Sequence, residues 1–367
     1  MWSAIHWQRL APDNPLRLMR SVLRWRGGYI AVGSLVSDGS TTTPMWTSRD
    51  GGLWMPVPFG TATTFWPGLL VVGVAEVPSG LVALTLLDGS YQCGAACPTY
   101  SSVLPLMSWF SPDGRSWTLN TGPDLRLPST WKGPPLLAAG PAGLVVASPT
   151  WPTRVARSAD GTHWRTMPVG ALPGGRALGY IVGTTTGFTA VGTMPVNADH
   201  DRAVAFQSVD DGTWTGPSPL HLVSASGIIL ASTAPSWGAT ALVAARDGLI
   251  ATGTVLATPG ALLWWQSANG RDWRPLPTYP PLGPTGCTGE GCRSQPNGSL
   301  VGDGHRLIVV RGGADAGVRP STGGLAWRRL PVTGDLPAAQ AMNAVLMPGG
   351  VLLSDATTTW FGEAQAP

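Results

Sequence analysis

Lysine is almost missing from this sequence: Lys132 is the only one, and glutamate occurs only as Glu76, Glu290 and Glu363. Both residue types are staples of helix surfaces, so a helical protein is disfavoured. Charge of either sign is scarce, at 12% of residues, and the net charge of +3 is dispersed without a basic run. That excludes an electrostatic tract for nucleic acid. No apolar stretch approaches the ~20 residues of a transmembrane helix. Met1 to Leu10 lacks the continuous apolar core of a signal peptide. Enzyme signatures are missing too: there is no Gly-x-Ser-x-Gly, no His-Glu-x-x-His, and no glycine-rich phosphate loop leading into a helix. No cofactor, bound metal or catalytic residue is expected.

What the chain has is turn formers and core formers together. Its 367 residues include 49 glycines, 35 prolines and 18 tryptophans, and 43% are hydrophobic. Abundant turns beside abundant core residues point to many short strands. The length alone permits two or three domains; the repeat described next favours one domain over residues 1–367.

One motif, Ser-x-Asp-Gly-x-x-Trp, recurs. It reads SRDGGLW at Ser48–Trp54, SPDGRSW at Ser111–Trp117 and SADGTHW at Ser158–Trp164. Weaker copies are SVDDGTW at Ser208–Trp214, SANGRDW at Ser267–Trp273 and STGGLAW at Ser321–Trp327. Serine and aspartate side chains can accept from turn amides, and glycine supplies a positive φ. An aromatic residue often stands two places before the serine, as Trp46, Trp109, Phe206 and Trp265. Each copy follows a glycine-led apolar strand: Gly27-Gly-Tyr-Ile-Ala-Val-Gly33 is the first, and Gly349-Gly-Val-Leu-Leu-Ser-Asp355 the seventh. Seven strand signatures therefore stand against six complete boxes.

The missing box falls at the chain ends. Trp7 opens the tail Trp-Gln-Arg-Leu-Ala-Pro, which matches the tail after Trp327. Closing tryptophans 7, 54, 117, 164, 214, 273 and 327 are 47, 63, 47, 50, 59 and 54 residues apart. The 40 residues after Trp327, joined to the 7 up to Trp7, make one more unit of 47. The expected fold is all-β: a seven-bladed β-propeller in which the N-terminal strand closes the last blade as its outer strand. Blade seven would then comprise about residues 335–367 plus 1–12.

These boxes resemble the Asp-box, or BNR, repeats of sialidase-like propellers. Similar repeats occur in sortilin-type receptors, xyloglucan-active hydrolases and a photosystem II assembly factor. The present box is one residue shorter than the usual Ser-x-Asp-x-Gly-x-Thr-Trp. The resemblance implies the fold; the box is structural in those families, so function has to come from the site. Sialidases resemble one another in an early Arg-Ile/Leu-Pro motif, an arginine triad and a Tyr/Glu nucleophile pair. Here Arg126-Leu127-Pro128 comes after two boxes rather than before the first, and no glutamate is paired with a tyrosine by position.

With strands labelled a to d from the axis outward, the box is the c–d turn. The b–c and d–a loops then share the opposite face, where a ligand is expected. Two insertions lie there, one carrying Cys93 and Cys97 and the other Cys287 and Cys292. The four thiols read either as two local disulfides or as one zinc site. The pairs fall on well-separated repeats, which favours disulfides, hence an oxidising compartment and an extracytoplasmic protein whose leader precedes this numbering. Candidate contacts on this face are Trp66, Arg126, Trp131, Lys132 and Arg176, with the Asp199-His200-Asp201-Arg202 run. The leading function is non-catalytic binding of a protein or glycan there. The alternatives are a structural subunit of an envelope assembly, or a sialidase-like glycosidase with two carboxyls about 5–10 Å apart at the axis.

Overall fold

A computed structural model describes residues 2–10, 19–33, 45–57, 69–87, 103–128, 135–148, 154–167, 177–196, 201–209, 213–221, 237–255, 262–276, 298–311, 317–321, 327–335, 343–347, 349–354 and 358–366. Every regular element among them is a β-strand. The strands form seven small sheets of hairpin-connected neighbours, and the chain is a seven-bladed β-propeller. It divides into two compact units. Strand β1 (Ala4–Arg9) belongs to the unit described second.

The unit Leu10–Ala171 with Ser354–Thr359 holds blades 1 to 3. Blade 1 is β2 (Met19–Trp25), β3 (Gly28–Gly33), β4 (Met45–Ser48) and β5 (Met55–Pro56). Blade 2 is β6 (Leu69–Val77), β7 (Gly80–Leu87), β8 (Val103–Ser111) and β9 (Thr118–Pro128). Blade 3 is β10 (Leu136–Gly140), β11 (Gly143–Ala147), β12 (Val155–Ser158) and β13 (Arg165–Thr166). Side chains alternate across a strand, and β7 uses both of its faces. Leu81 and Ala83 pack with Ile30, Val32 and Met45 of blade 1. Val82 and Leu84 pack with Leu144, Val146 and Ala156 of blade 3. All four β7 residues are fully buried. Two-sided burial explains why the strand signatures read as continuous apolar runs. Each large side chain so buried contributes about 1.5–3 kcal/mol of transfer free energy.

The unit Met1–Arg9, Leu172–Leu353 and Trp360–Pro367 holds blades 4 to 7. Blade 4 is β14 (Ala177–Thr184), β15 (Gly187–Pro195), β16 (Asp201–Val209) and β17 (Trp214–Pro219). Blade 5 is β18 (Trp237–Ala245), β19 (Gly248–Val255), β20 (Leu262–Ser267) and β21 (Arg274–Pro275). Blade 6 is β22 (Gly298–Gly302), β23 (Leu307–Arg311) and β24 (Gly317–Ser321). The Arg328 and Leu330 amides extend it by donating to the carbonyls of Pro320 and Val318, at 3.3 and 3.0 Å. The alternation recurs: Leu307 and Val309 face Ile250 and Trp264 of blade 5. Ile308 and Val310 face Ile5, Val351 and Leu353 of blade 7.

Blade 7 is ordered β25 (Val332–Gly334), β1, β28 (Thr359–Gln365), β27 (Gly350–Ser354), β26 (Asn343–Met347). The N-terminal strand closes it by pairing antiparallel with β28. The expectation that β1 is the outer strand needs one correction, because β25 runs parallel along its free edge. The tail of the sixth box passes directly onto β1: Ile5 donates to the Pro331 carbonyl and Asp335 to the Trp7 carbonyl, both at 3.0 Å. Gly334, at φ +83°, admits this approach, since a Cβ there would overlap the Trp7 carbonyl oxygen.

The box is a local hydrogen-bonding device. In the first copy Ser48 Oγ accepts from the Gly51 amide at 2.8 Å, and Asp50 Oδ1 accepts from the Gly52 amide at 2.8 Å. Trp54 Nε1 donates to the Gly51 carbonyl at 2.8 Å. The same serine and aspartate bonds form in the second and third copies. The box glycine then wedges against the preceding blade. Gly114 faces Trp25 and Ile30, and Gly161 faces Val82. Ser108 Oγ and Asn120 Nδ2 of blade 2 donate to the Gly161 carbonyl at 2.8 and 3.2 Å.

Both the wedge and its carboxylates can be tested. Gly161 has φ +79°, and a Cβ there would overlap Val82 Cγ2. Gly161→Ala should therefore cost about 1–3 kcal/mol in urea unfolding. Adding Val82→Ala should recover part of that loss through their coupling, where independent sites would simply add. In Asp50 and Asp113, accepted amide bonds hold the carboxyls below their ordinary range. In Asp160, desolvation pushes up but is outweighed by the His163 and Thr162 bonds. Depressed folded values stabilise above the unfolded carboxylate pKa of about 3.9, and that stabilisation is lost as pH falls through the folded values. Melting temperature should drop below about pH 4, and drop less in Asp113→Asn.

Candidate functional site

Most residues singled out from the sequence lie outside the described residues: Trp66, Trp131, Lys132, Arg176, Asp199, His200 and the four cysteines, Cys93, Cys97, Cys287 and Cys292. Arg126 is on β9, its backbone opposite Pro105. Asp201 and Arg202 open β16 opposite Pro195 and Met194. Both are half-buried, and as neighbours on a strand they point to opposite faces of the sheet. Arg202 Nε is buried with no hydrogen-bond partner among the described residues. Arg126 belongs to one compact unit and this pair to the other. Among the described residues no group of three His, Cys, Asp or Glu side chains could hold a metal ion.

The repeat breaks down at one boundary, between blades 4 and 5. The third residue of the second strand is Ile30 in blade 1, Val82 in blade 2, Val145 in blade 3 and Ile250 in blade 5. In blade 4 it is Thr189, fully buried, with Oγ1 unpartnered among the described residues. The closing indoles fall into two groups, and Trp117 and Trp214 do not share the box bond of the others. Trp54, Trp164 and Trp273 each donate to their box glycine carbonyl, at 2.8, 3.0 and 2.8 Å. Trp214 Nε1 is buried and makes no such bond. The box Ser208-Val-Asp-Asp-Gly-Thr-Trp214 carries a second aspartate where the others have glycine.

At this boundary a cleft of about 910 Å3 opens between the end of the outer strand of blade 4 and the box turn of blade 5. Ser218 and His221 line it from blade 4, and Asp247, Arg271, Asp272 and Arg274 from blade 5. The His221 carbonyl accepts from Trp265 Nε1 at 2.8 Å, tying the chain leaving blade 4 to the third strand of blade 5. Leu220 donates to Ala203 at 3.1 Å, so its amide turns toward β16. By the two-residue period, Pro219 has its donor-less nitrogen on the outward side. Strand addition along that edge is therefore blocked.

The arginines are set by glutamines. Arg271 Nε donates to Gln207 Oε1 at 2.7 Å, and Gln207 Nε2 donates to the Asn269 carbonyl. Arg274 Nη2 donates to Gln266 Oε1 at 2.8 Å, and Gln266 is only 5% exposed. Sequence reading missed all four residues. A signal was present: of the six boxes, only Ser267–Trp273 combines arginine at its fifth position with arginine just after its tryptophan. Glutamine precedes the box serine only in blades 4 and 5.

The same box has Asn269 where the first four have aspartate, and the side chain three residues on explains it. Asp113 Oδ2 accepts from Ser116 Oγ at 3.2 Å, and Asp160 Oδ2 lies 2.7 Å from His163 Nδ1. In the fifth copy the roles invert, and Asn269 Nδ2 donates to Asp272 Oδ2 at 2.7 Å. Asn269→Asp should lower the melting temperature by roughly 2–4 °C by setting two carboxylates together. Asn269→Asp with Asp272→Ser should restore it, as the Asp113–Ser116 copy implies; failure of the double variant to recover would show that the pairing is incidental.

No protein-family model and no curated protein matches the sequence. Solved structures do resemble the fold. The structure of YCF48 bound to D1 peptide is similar with a TM-score of 0.52 at 13% identity, covering 98% of this chain and 97% of that one. A Bacteroides uniformis protein provisionally assigned as a 6-phosphogluconolactonase is similar with a TM-score of 0.50 at 15% identity, over 90% of each chain. Trypanosoma rangeli sialidase in complex with 2,3-difluorosialic acid reaches 0.42 at 11% identity, over 93% of this chain and 59% of that one. At these identities the likeness is one of fold: this chain is a β-propeller, as its seven sheets show, with a fold similar to that of YCF48 and the Bacteroides uniformis protein.

Proposed function

We propose that this chain is a non-catalytic binding propeller that recognises a polypeptide partner outside the cytoplasm. The observation that carries the reading is the cleft between blades 4 and 5. It lies beside the interlock where Thr189 takes the place of an aliphatic residue against the blade 5 box. Local departures from a self-consistent pattern concentrate at functional sites. Its polar side chains are held by hydrogen bonds from neighbouring strands, a preorganisation that suits recognition. Trp273, the tryptophan in its lining, is 7% exposed and so offers little face on which a sugar ring could stack. A peptide partner is also in keeping with YCF48, a propeller of similar fold whose structure holds a D1 peptide. The extracytoplasmic setting rests on the two close cysteine pairs, Cys93 with Cys97 and Cys287 with Cys292. The loop-face residues Trp66, Arg126, Trp131 and Lys132 stand as a second contact region in this reading.

The test is selection of a random peptide library on the immobilised full chain, beside an assay of sugar release from a panel of glycosides. A shared sequence that rebinds the chain saturably, with no sugar released, is the expected result. Release of sugar with no enriched peptide would overturn the reading in favour of a glycosidase.

A further inference from the structure

We propose that Arg271 and Arg274 form a clamp for a single carboxylate, the side chain of an acidic residue in a polypeptide seated in the blade 4–5 cleft. The inference rests on the binding reading above and names the chemistry of that site.

Four observations converge. Both arginines line the cleft. Their side-chain hydrogen bonds go to amide oxygens, Gln207 Oε1 at 2.7 Å and Gln266 Oε1 at 2.8 Å. A neutral acceptor orients a guanidinium without cancelling its charge, and each arginine keeps further N–H donors for a ligand. The second observation is that the support is built from two blades. Gln207 reaches from blade 4 to the fifth box, while Gln266 is buried beneath it. A carboxylate site needs its donors held in place before binding, and planar guanidinium forks match carboxylate geometry.

The third observation comes from the repeat itself. Arg115 occupies the fifth box position in blade 2, and Arg165 follows the tryptophan in blade 3. Among the six boxes the two positions are both arginine only in blade 5, the blade that carries the cleft. The fourth is the company these arginines keep. Asp247 and Asp272 line the same cleft, and Asp272 Oδ2 accepts from Asn269 Nδ2. Carboxylates in the lining repel a polyanion such as a polyphosphate or nucleic-acid strand, so one acid group is favoured over a run of them. With strand addition blocked at Pro219, side chains do the recognising.

The experiment follows the arginine Nε–H signals of the full chain by NMR. The probe is the blocked tripeptide acetyl-Ala-Glu-Ala-amide, whose glutamate is its only charge. Acetyl-Ala-Gln-Ala-amide, sodium sulfate and galacturonic acid are titrated in parallel. Saturable shifts of the Arg271 and Arg274 signals with the glutamate peptide alone are expected. The Arg271→Gln/Arg274→Gln variant should bind the glutamate peptide at least about tenfold more weakly, the loss of charge-assisted bonds. Arg115→Gln/Arg165→Gln, which removes the same repeat positions elsewhere, should leave affinity unchanged. Equal saturation by sulfate would assign the cleft to a free anion and overturn the proposal. Preference for galacturonic acid would assign it to an acidic glycan and overturn the proposal equally. Silent arginine signals while library-selected peptides still bind would sink the carboxylate clamp and leave the binding reading standing; silence together with an empty library would remove both.

Discussion

The interlock between a box turn and the second strand of the blade before it is the contact on which the rest of each compact unit depends. The glycine supplies a positive φ and a bare Cα, and Gly114 and Gly161 bring these against Ile30 and Val82. Serine and aspartate oxygens satisfy the turn amides, and the closing indole satisfies the glycine carbonyl. With its polar groups paired internally, the turn can sit against an apolar neighbour without the cost of unmet hydrogen bonds. The neighbour's strand is then buried on both faces, as Leu81 to Leu84 show.

That arrangement also explains where variation is tolerated. Box positions pointing outward change freely, from Leu53, 73% exposed, to Ser116, His163 and Asp272. In three copies the second atom of the Asp or Asn head group meets the sixth side chain, and the aspartate at the sixth position of the fifth copy is matched by Asn269. At the blade 4–5 boundary the change reaches the interlock itself. A hydroxyl replaces an aliphatic group at Thr189 against Gly270, an amide arm crosses from Gln207, and a cleft lined by charge opens beside the interlock. Buried polar groups left without partners destabilise. Thr189 Oγ1, buried against the blade 5 box and unpaired among the described residues, carries that cost beside the cleft.

Blade 7 shows a different use of the same parts. Trp7 is 2% exposed and lies between two glycines, Gly334 on the parallel side and Gly362 on the antiparallel side. A Cβ at Gly362 would come within 2.6 Å of the Trp7 ring, so the indole fills space that any other residue would occupy. Each edge of β1 is thereby paired, and the outer edge of that sheet passes to the three-residue β25.

Strand content, the seven inner strands, the six boxes and the chain-end pairing were all legible in the sequence. They rest on local rules: side chains alternate with a period of two, and a turn needing serine, aspartate and glycine at fixed offsets announces itself. Glycine-led runs such as Gly80–Leu87 are strands in the structure for that reason. What only the tertiary structure decided were contacts between separate repeats. The strap β25 along β1 joins residues more than three hundred positions apart, and the Gln207–Arg271 bond spans 64. Neither leaves a periodic trace, because each depends on where two blades happen to touch. The cleft likewise arises from one strand's end meeting the next blade's turn. Composition set the architecture; the departure of one blade boundary from its own repeat set the site, and that departure acquires meaning only when its residues are seen side by side.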